Sequence, residues 1–160
     1  SNICTAQVLL AVTASMYAVY HGPQGLAAIA RRVRRLAAAL SAGLKRLGLD
    51  PGSKPLFDTV TVDPGARGFD IVAAAKARRI NLRVFADGRL SAALDETSRE
   101  QDVRDLLEVF AGGKPLPWRV EDLLAGEPAL PPALARKSPL LAHPVFNRHH
   151  SETEMLRYLH

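Results

Sequence analysis

Charge is missing from the front of this chain. No Asp, Glu, Lys or Arg precedes Arg31, although the 160 residues carry a formal net charge of +5. A secretory signal would open on positive charge, so none is read here. Cysteine is nearly absent as well. Cys4 is the single one, which excludes an internal disulfide and makes a reducing compartment the default. Together with abundant Ala and Arg far outnumbering Lys, this points to a cytoplasmic protein of GC-rich bacterial composition. Other absences bear on chemistry. The chain has no glycine-rich phosphate loop, no nucleophile elbow, no CxxC and no HExxH. Its lysines, Lys45, Lys54, Lys76, Lys114 and Lys137, fall on polar faces or in loops, without the apolar surroundings that would activate one for Schiff-base work. No complete catalytic apparatus can be assembled from these residues.

What fills the uncharged opening is SNICTAQVLLAVTASMYAVY, from Ser1 to Tyr20. Val8, Val12, Ser15 and Val19 share one helical face, Leu9, Met16 and Tyr20 the next, and Ala6, Ala11, Thr13, Ala14 and Ala18 cover the rest. A helix apolar or small all round is expected to be buried on every side. A membrane span is the competing reading, but Asn2, Thr5, Gln7, Thr13 and Ser15 interrupt the run and no basic flank precedes it. The spacing therefore predicts a central core helix. Gly22-Pro23 ends it and starts a second, with proline at a first-turn position. Leu26, Ile29, Val33, Leu36, Leu40, Leu44 and Leu47 then recur at intervals of three and four. Gly48 stops this second helix and Asp50-Pro51-Gly52 turns the chain, so a helical hairpin is expected over Thr5 to Leu47.

Beyond the turn, Leu56 to Val62 reads as a strand, Gly68 to Arg79 as a short helix, and Ile80–Phe85 with Arg89–Leu94 as two strands joined through Asp87-Gly88. Thr97 and Ser98, each followed by Glu100 or Gln101, form a capping-box pattern ahead of a helix presenting Val103, Leu106, Leu107 and Phe110. Gly112-Gly113 terminates that helix. The order α-α-β-α-β-β-α implies an α+β fold with a short mixed or antiparallel sheet. Seven of the eleven prolines lie between Lys114 and Pro144, a stretch that reads as an extended strap anchored by Trp118, with a short helix at Arg119 to Leu124. Ser151 and Glu154 repeat the capping pattern at a last helix. The apolar pattern begins within a few residues of Ser1, and this last helix runs to the end, so the sequence reads as a piece of something larger.

Two local clusters are candidates for a site. His143, His149, His150 and Glu152 could bind a metal, but adjacent histidines do not share a helical face and no cysteine supports them. The plainer reading gives Ser151 to the helix cap and lets His149 and Glu152 bond nearby backbone. Asn2, Cys4, Thr5 and Gln7 sit at a helix start, where free amides favour an anion, or simply cap it. Arg31, Arg32, Arg34 and Arg35 raise the alternative of a nucleic-acid-binding module, weakened because no aromatic residues interleave with them. An adaptor built on the helical hairpin is a third reading.

Two longer stretches carry a resemblance. SNICTAQVLLAVTASMYAVYHGPQGL (Ser1 to Leu26) and HPVFNRHHSETEMLRYLH (His143 to His160) resemble the P-protein of the glycine cleavage system, the decarboxylating glycine dehydrogenase. LFDTVTV and INLRVFADGRLSAALDETSREQDVRDLLEVFAG fit the same family in the same order, with the weakest match over Lys114 to Leu141. The resemblance implies a chain built from two aminotransferase-like, fold-type I pyridoxal-phosphate halves. Residues 1–113 would be the small C-terminal α+β domain of the first half, 114–144 the inter-half strap and 145–160 the start of the second half. It further implies decarboxylation of glycine on lysine-bound pyridoxal phosphate, with the aminomethyl group passing to the lipoyl arm of H-protein. The cofactor lysine would belong to the missing second half, and the full enzyme would be a homodimer without nucleic-acid or membrane partners. No catalytic role carries over to a residue here. Asn2, Cys4, Thr5, Gln7, His149, His150 and Glu152 would at most line the interface between halves.

Overall fold

The computed structural model describes residues 5–126 and 128–160. They form helices α1 (Thr5–Arg46), α2 (Gly68–Ala77), α3 (Glu100–Phe110) and α4 (Glu152–Leu159), with strands β1 (Thr59–Val62), β2 (Arg83–Val84) and β3 (Leu90–Ala93). The strands make one antiparallel sheet in the order β1-β3-β2. The fold is α+β. Two compact units can be distinguished. One is Arg31–Pro131; the other joins the described residues up to Ala30 with Pro132–His160.

In the Arg31–Pro131 unit, the second arm of α1 supplies Val33, Leu36, Ala37, Leu40 and Leu44, all buried. Their three- and four-residue spacing puts them on one stripe. From α3 come Val103, Leu106, Leu107 and Phe110, also buried. The sheet contributes Val60 and Val62 of β1, whose register sets Val60 opposite Ala92 and Val62 opposite Leu90 of β3. Cross-strand apolar pairs on the core face are what fix such a register. Ile71 and Ala75 of α2 close the set. Burying each large side chain here is worth about 1.5–3 kcal/mol.

Gly43 has a particular role. A Cβ built on it would lie 2.5 Å from Leu107 Cδ2 and 2.6 Å from Cδ1, so only glycine lets α1 come this close to the fully buried Leu107.

Three helices end in the same way. The Leu49 amide bonds the Leu44 carbonyl at 2.9 Å and the Gly48 amide bonds Lys45 at 3.0 Å. Gly113 bonds Glu108 and Gly112 bonds Val109 in the matching pattern, as do Ile80 to Ala75 and Arg79 to Lys76. Each is a Schellman closure with its pivotal residue left-handed. Gly48 and Gly112 take that conformation freely, whereas at the end of α2 it falls on Arg79, φ 59°.

Several expectations shift by a residue or more. The strands are shorter than the apolar runs that predicted them, and β2 keeps only two residues of Ile80–Phe85. Thr97 and Ser98 do not cap α3. Both bond the Asp95 carboxylate, and the cap falls on Arg99, whose amide donates to Asp102 Oδ2 at 2.7 Å. The helix expected at Arg119 to Leu124 is a 3-10 turn, Val120–Leu123. Trp118 is half-buried under the Arg46 guanidinium, 5.2 Å from its ring centroid.

The largest departure is in the first arm of α1. Residues 6–15 are exposed throughout, with Leu9 at 72% and Leu10 at 71% of full exposure. The expected all-round burial is therefore not met within this chain. Small and apolar residues satisfy a helix without dictating what covers it. Val19 and Gly22, further along, are buried.

Replacing Gly43 by Val should lower unfolding stability by about 1–3 kcal/mol in chemical denaturation, the usual cost of overpacking. Gly43→Ala should cost less, because its gain in helix propensity offsets roughly 1 kcal/mol. Asp95 gives a pH signature. The Thr97 hydroxyl and amide and then the Ser98 hydroxyl hold its carboxyl below the ordinary value of 3.8. A lowered folded-state pKa contributes stability that is present above 3.8 and lost as pH falls through the folded value. Amide resonances of Thr97 and Ser98 should move below pH 3.8 while those of α3 core residues hold.

Candidate functional site

The histidine-rich tail folds onto the region where α1 breaks. Gly22 is the single non-helical residue inside α1, φ 63° and ψ −178°, and the Gly22-Pro23 pair sets that break as the sequence predicts. Glycine is needed twice over. Its φ lies in the left-handed region, and a Cβ there would stand 2.6 Å from both the Phe146 carbonyl oxygen and His150 Cε1. Just before the break, the Tyr20 carbonyl accepts a hydrogen bond from His150 Nδ1 at 2.7 Å. This links positions 130 residues apart.

Around that link the tail is organised by its own side chains. The Asn147 amide nitrogen donates to the carbonyls of Leu141 and His143, and His143 Nδ1 accepts from the Val145 amide. Ser151 Oγ accepts from the Glu154 amide at 3.2 Å, so Ser151 caps α4. Glu154 reaches back to the His150 amide. His149 stacks on Tyr158 with ring centroids 4.6 Å apart.

The backbone-bonding roles expected of His149 and Glu152 thus belong to His150 and Glu154. The capping rule located Glu154, and nothing in the sequence gave the Tyr20 contact, which is purely tertiary. Among the described residues no group of three His, Cys, Asp or Glu side chains is placed to hold a metal. Of the second cluster, Asn2 and Cys4 lie outside the described residues, Thr5 is placed only as the first residue of α1, and Gln7 is exposed.

The arginine cluster has a structural occupation. Arg32 donates to the carbonyls of Glu96 and Ser98 at 2.8 and 2.5 Å. Arg34 donates to those of Pro128 and Ala129, and Arg35 lies 3.9 Å from Glu100. These guanidiniums fasten the turn before α3 and the 128–129 segment onto α1. That leaves little of the cluster for a phosphate backbone.

All five lysines are exposed. None is enclosed with an aromatic ring and an acid as a pyridoxal-bearing lysine requires, so the described residues do not fit that cofactor. No helix among them is long and apolar enough to cross a membrane.

What the geometry defines among the described residues is an α+β fold whose polar side chains fasten one segment to another. Residues 1–110 match the family model of the glycine cleavage system P-protein. The chain belongs to that family, whose activity is the decarboxylation of glycine as part of the glycine cleavage system.

Gly22→Ala should release the tail. Holding an alanine at φ 63°, ψ −178°, a region essentially reserved to glycine, costs about 1–3 kcal/mol, and the clash with the Phe146 carbonyl adds to it. Limited proteolysis should then cut within 141–150 sooner than in the parent chain. His150→Ala, which removes one net hydrogen bond worth about 0.5–1.5 kcal/mol, should accelerate the same cuts more weakly.

Proposed function

We propose that this chain is a scaffold and interface segment of a glycine dehydrogenase (aminomethyl-transferring) and has no activity alone. On this reading, residues 1–113 close the first of two aminotransferase-like halves, 114–144 strap it to the second, and 145–160 begin that second half. Pyridoxal phosphate is held by a lysine in the remainder of the P-protein. Glycine is decarboxylated there, the aminomethyl group passes to the lipoyl arm of H-protein, and the assembled enzyme is a cytoplasmic homodimer.

The observation that carries the reading is the family match over residues 1–110. Two features of the structure support it. The exposed lysines leave the chemistry to another polypeptide segment. The uncharged first arm of α1 turns Val8, Leu9, Leu10 and Val12 to solvent, apolar surface on more than one side of the helix of the kind that marks an interaction surface. In the proposed enzyme that surface, with Asn2, Cys4, Thr5 and Gln7 at its start, lies against the second half. His149, His150 and Glu152 mark the other edge of the same junction.

Glycine–bicarbonate exchange tests this directly. The chain alone should give none, and mixing it with the remaining P-protein polypeptide should restore exchange. Leu9→Glu, on an exposed position that leaves the chain's own core untouched, should reduce the restored rate by about tenfold or more, as burying an unpaired charge would. Exchange by the isolated chain, or full restoration with Leu9→Glu, would overturn the reading.

A further inference from the structure

One face of α1 in the Arg31–Pro131 unit borders a cavity of about 320 Å³, bounded on its other sides by the Lys54–Leu56 segment and Pro128. Arg34, Ala38, Ser41, Ala42 and Lys45 present a single helical stripe to it. That volume is at the lower end of small-ligand sites.

Its chemistry is one-signed. Arg34, Lys45 and Lys54 line it, and no Asp or Glu does so among the described residues. Arg34 donates to the carbonyls of Pro128 and Ala129, and among the described residues it has no carboxylate partner and its Nε is buried without a partner. Lys45 and Lys54 likewise have no ion-pair partner among the described residues. Ser41 adds a neutral hydroxyl to the lining. It is only 8% exposed, one of two buried polar residues of this structure's described part, and its hydroxyl has no hydrogen bond among the described residues. Its oxygen is not one of the buried side-chain atoms left without a partner, which among the described residues are Arg34 Nε and Arg35 Nε, and it borders the cavity.

Helix-end electrostatics would explain Lys45 in the last turn of α1. They do not explain Lys54, which comes from another segment. Meanwhile Ala38, Ala42, Pro55 and Leu56 give apolar wall beside the charges. Three cations around a partly apolar hollow, without an acidic neighbour among the described lining residues, repel one another, and an anion relieves that repulsion.

We propose that this cavity binds a small organic anion. Its phosphate or carboxylate head pairs with Lys45 and Lys54 and accepts from Ser41 Oγ. A short carbon skeleton lies on Ala42 and Leu56. Arg34 positions the Pro128 wall and stays bound to its carbonyls. This stands apart from the glycine cleavage reading, and its failure would leave that reading intact.

Amide chemical shifts of the 160-residue chain, titrated separately with inorganic phosphate and with butyrate at constant ionic strength in chloride, provide the test. Saturable shifts should concentrate at Ser41, Lys45, Lys54 and Leu56. Phosphate binding more tightly would assign a phosphomonoester, butyrate a carboxylate. In the Lys45→Gln, Lys54→Gln double variant, both exposed positions, affinity should fall about tenfold or more with the loss of both charges, while core resonances stay in place. Ser41→Ala should weaken binding less. Shifts that only track chloride, or an unchanged affinity in the double variant, would overturn the proposal.

Discussion

The contact between Gly43 of α1 and Leu107 of α3 governs how close the two helices can stand. Leu107 is fully buried, and its two methyl carbons occupy the space a side chain at position 43 would need. With the helices at that distance, Leu36, Leu40 and Leu44 can share one core with Val103, Leu106 and Phe110. The sheet then adds Val60, Val62, Leu90 and Ala92 to it. Close-packed interiors tolerate few voids and little excess volume, so an absent methyl group is as much a part of this core as the leucines.

Electrostatics serve the same end. The basic balance of the composition would suit an acidic polymer, yet Arg32 and Arg34 spend their donors on four backbone carbonyls. A guanidinium can satisfy two carbonyls at once because its donors are fixed in a planar fork. The carbonyls in question belong to loops, where no ladder provides partners. Net charge counts such arginines as free when they are fastening irregular chain. The exposed ion pairs, such as Arg104 to Glu121 at 2.7 Å, add little individually.

What could be read from sequence follows the range of the interaction. The leucine periodicity of Leu26 to Leu47, the break at Gly22-Pro23, the stop at Gly48 and the terminating Gly112-Gly113 are local, and each is where the residues place it. The caps were legible only in part, since Asp95 captures Thr97 and Ser98 and leaves Arg99 as the cap. The first arm of α1 was legible as a helix but not in its burial, because apolarity records that a surface is needed and not which one. The candidate site was the least accessible. His150 and Tyr20 meet through tertiary structure alone, and the cavity beside Ser41 draws its walls from three separate stretches. The P-protein motifs, by contrast, identified the family directly.

The Tyr20–His150 hydrogen bond also has a consequence for assembly order. It joins the two ends of a unit whose middle, Arg31–Pro131, is itself another unit. In connectivity the second is a guest inserted into the first. The guest draws its core from nearer neighbours in the chain, while the host must close a loop of 130 positions, and that closure entropy grows with loop length. Contacts of long sequence separation form slowly. During synthesis the guest can therefore be complete before Pro132–His160 has emerged, and the uncharged leading helix must wait for that later segment.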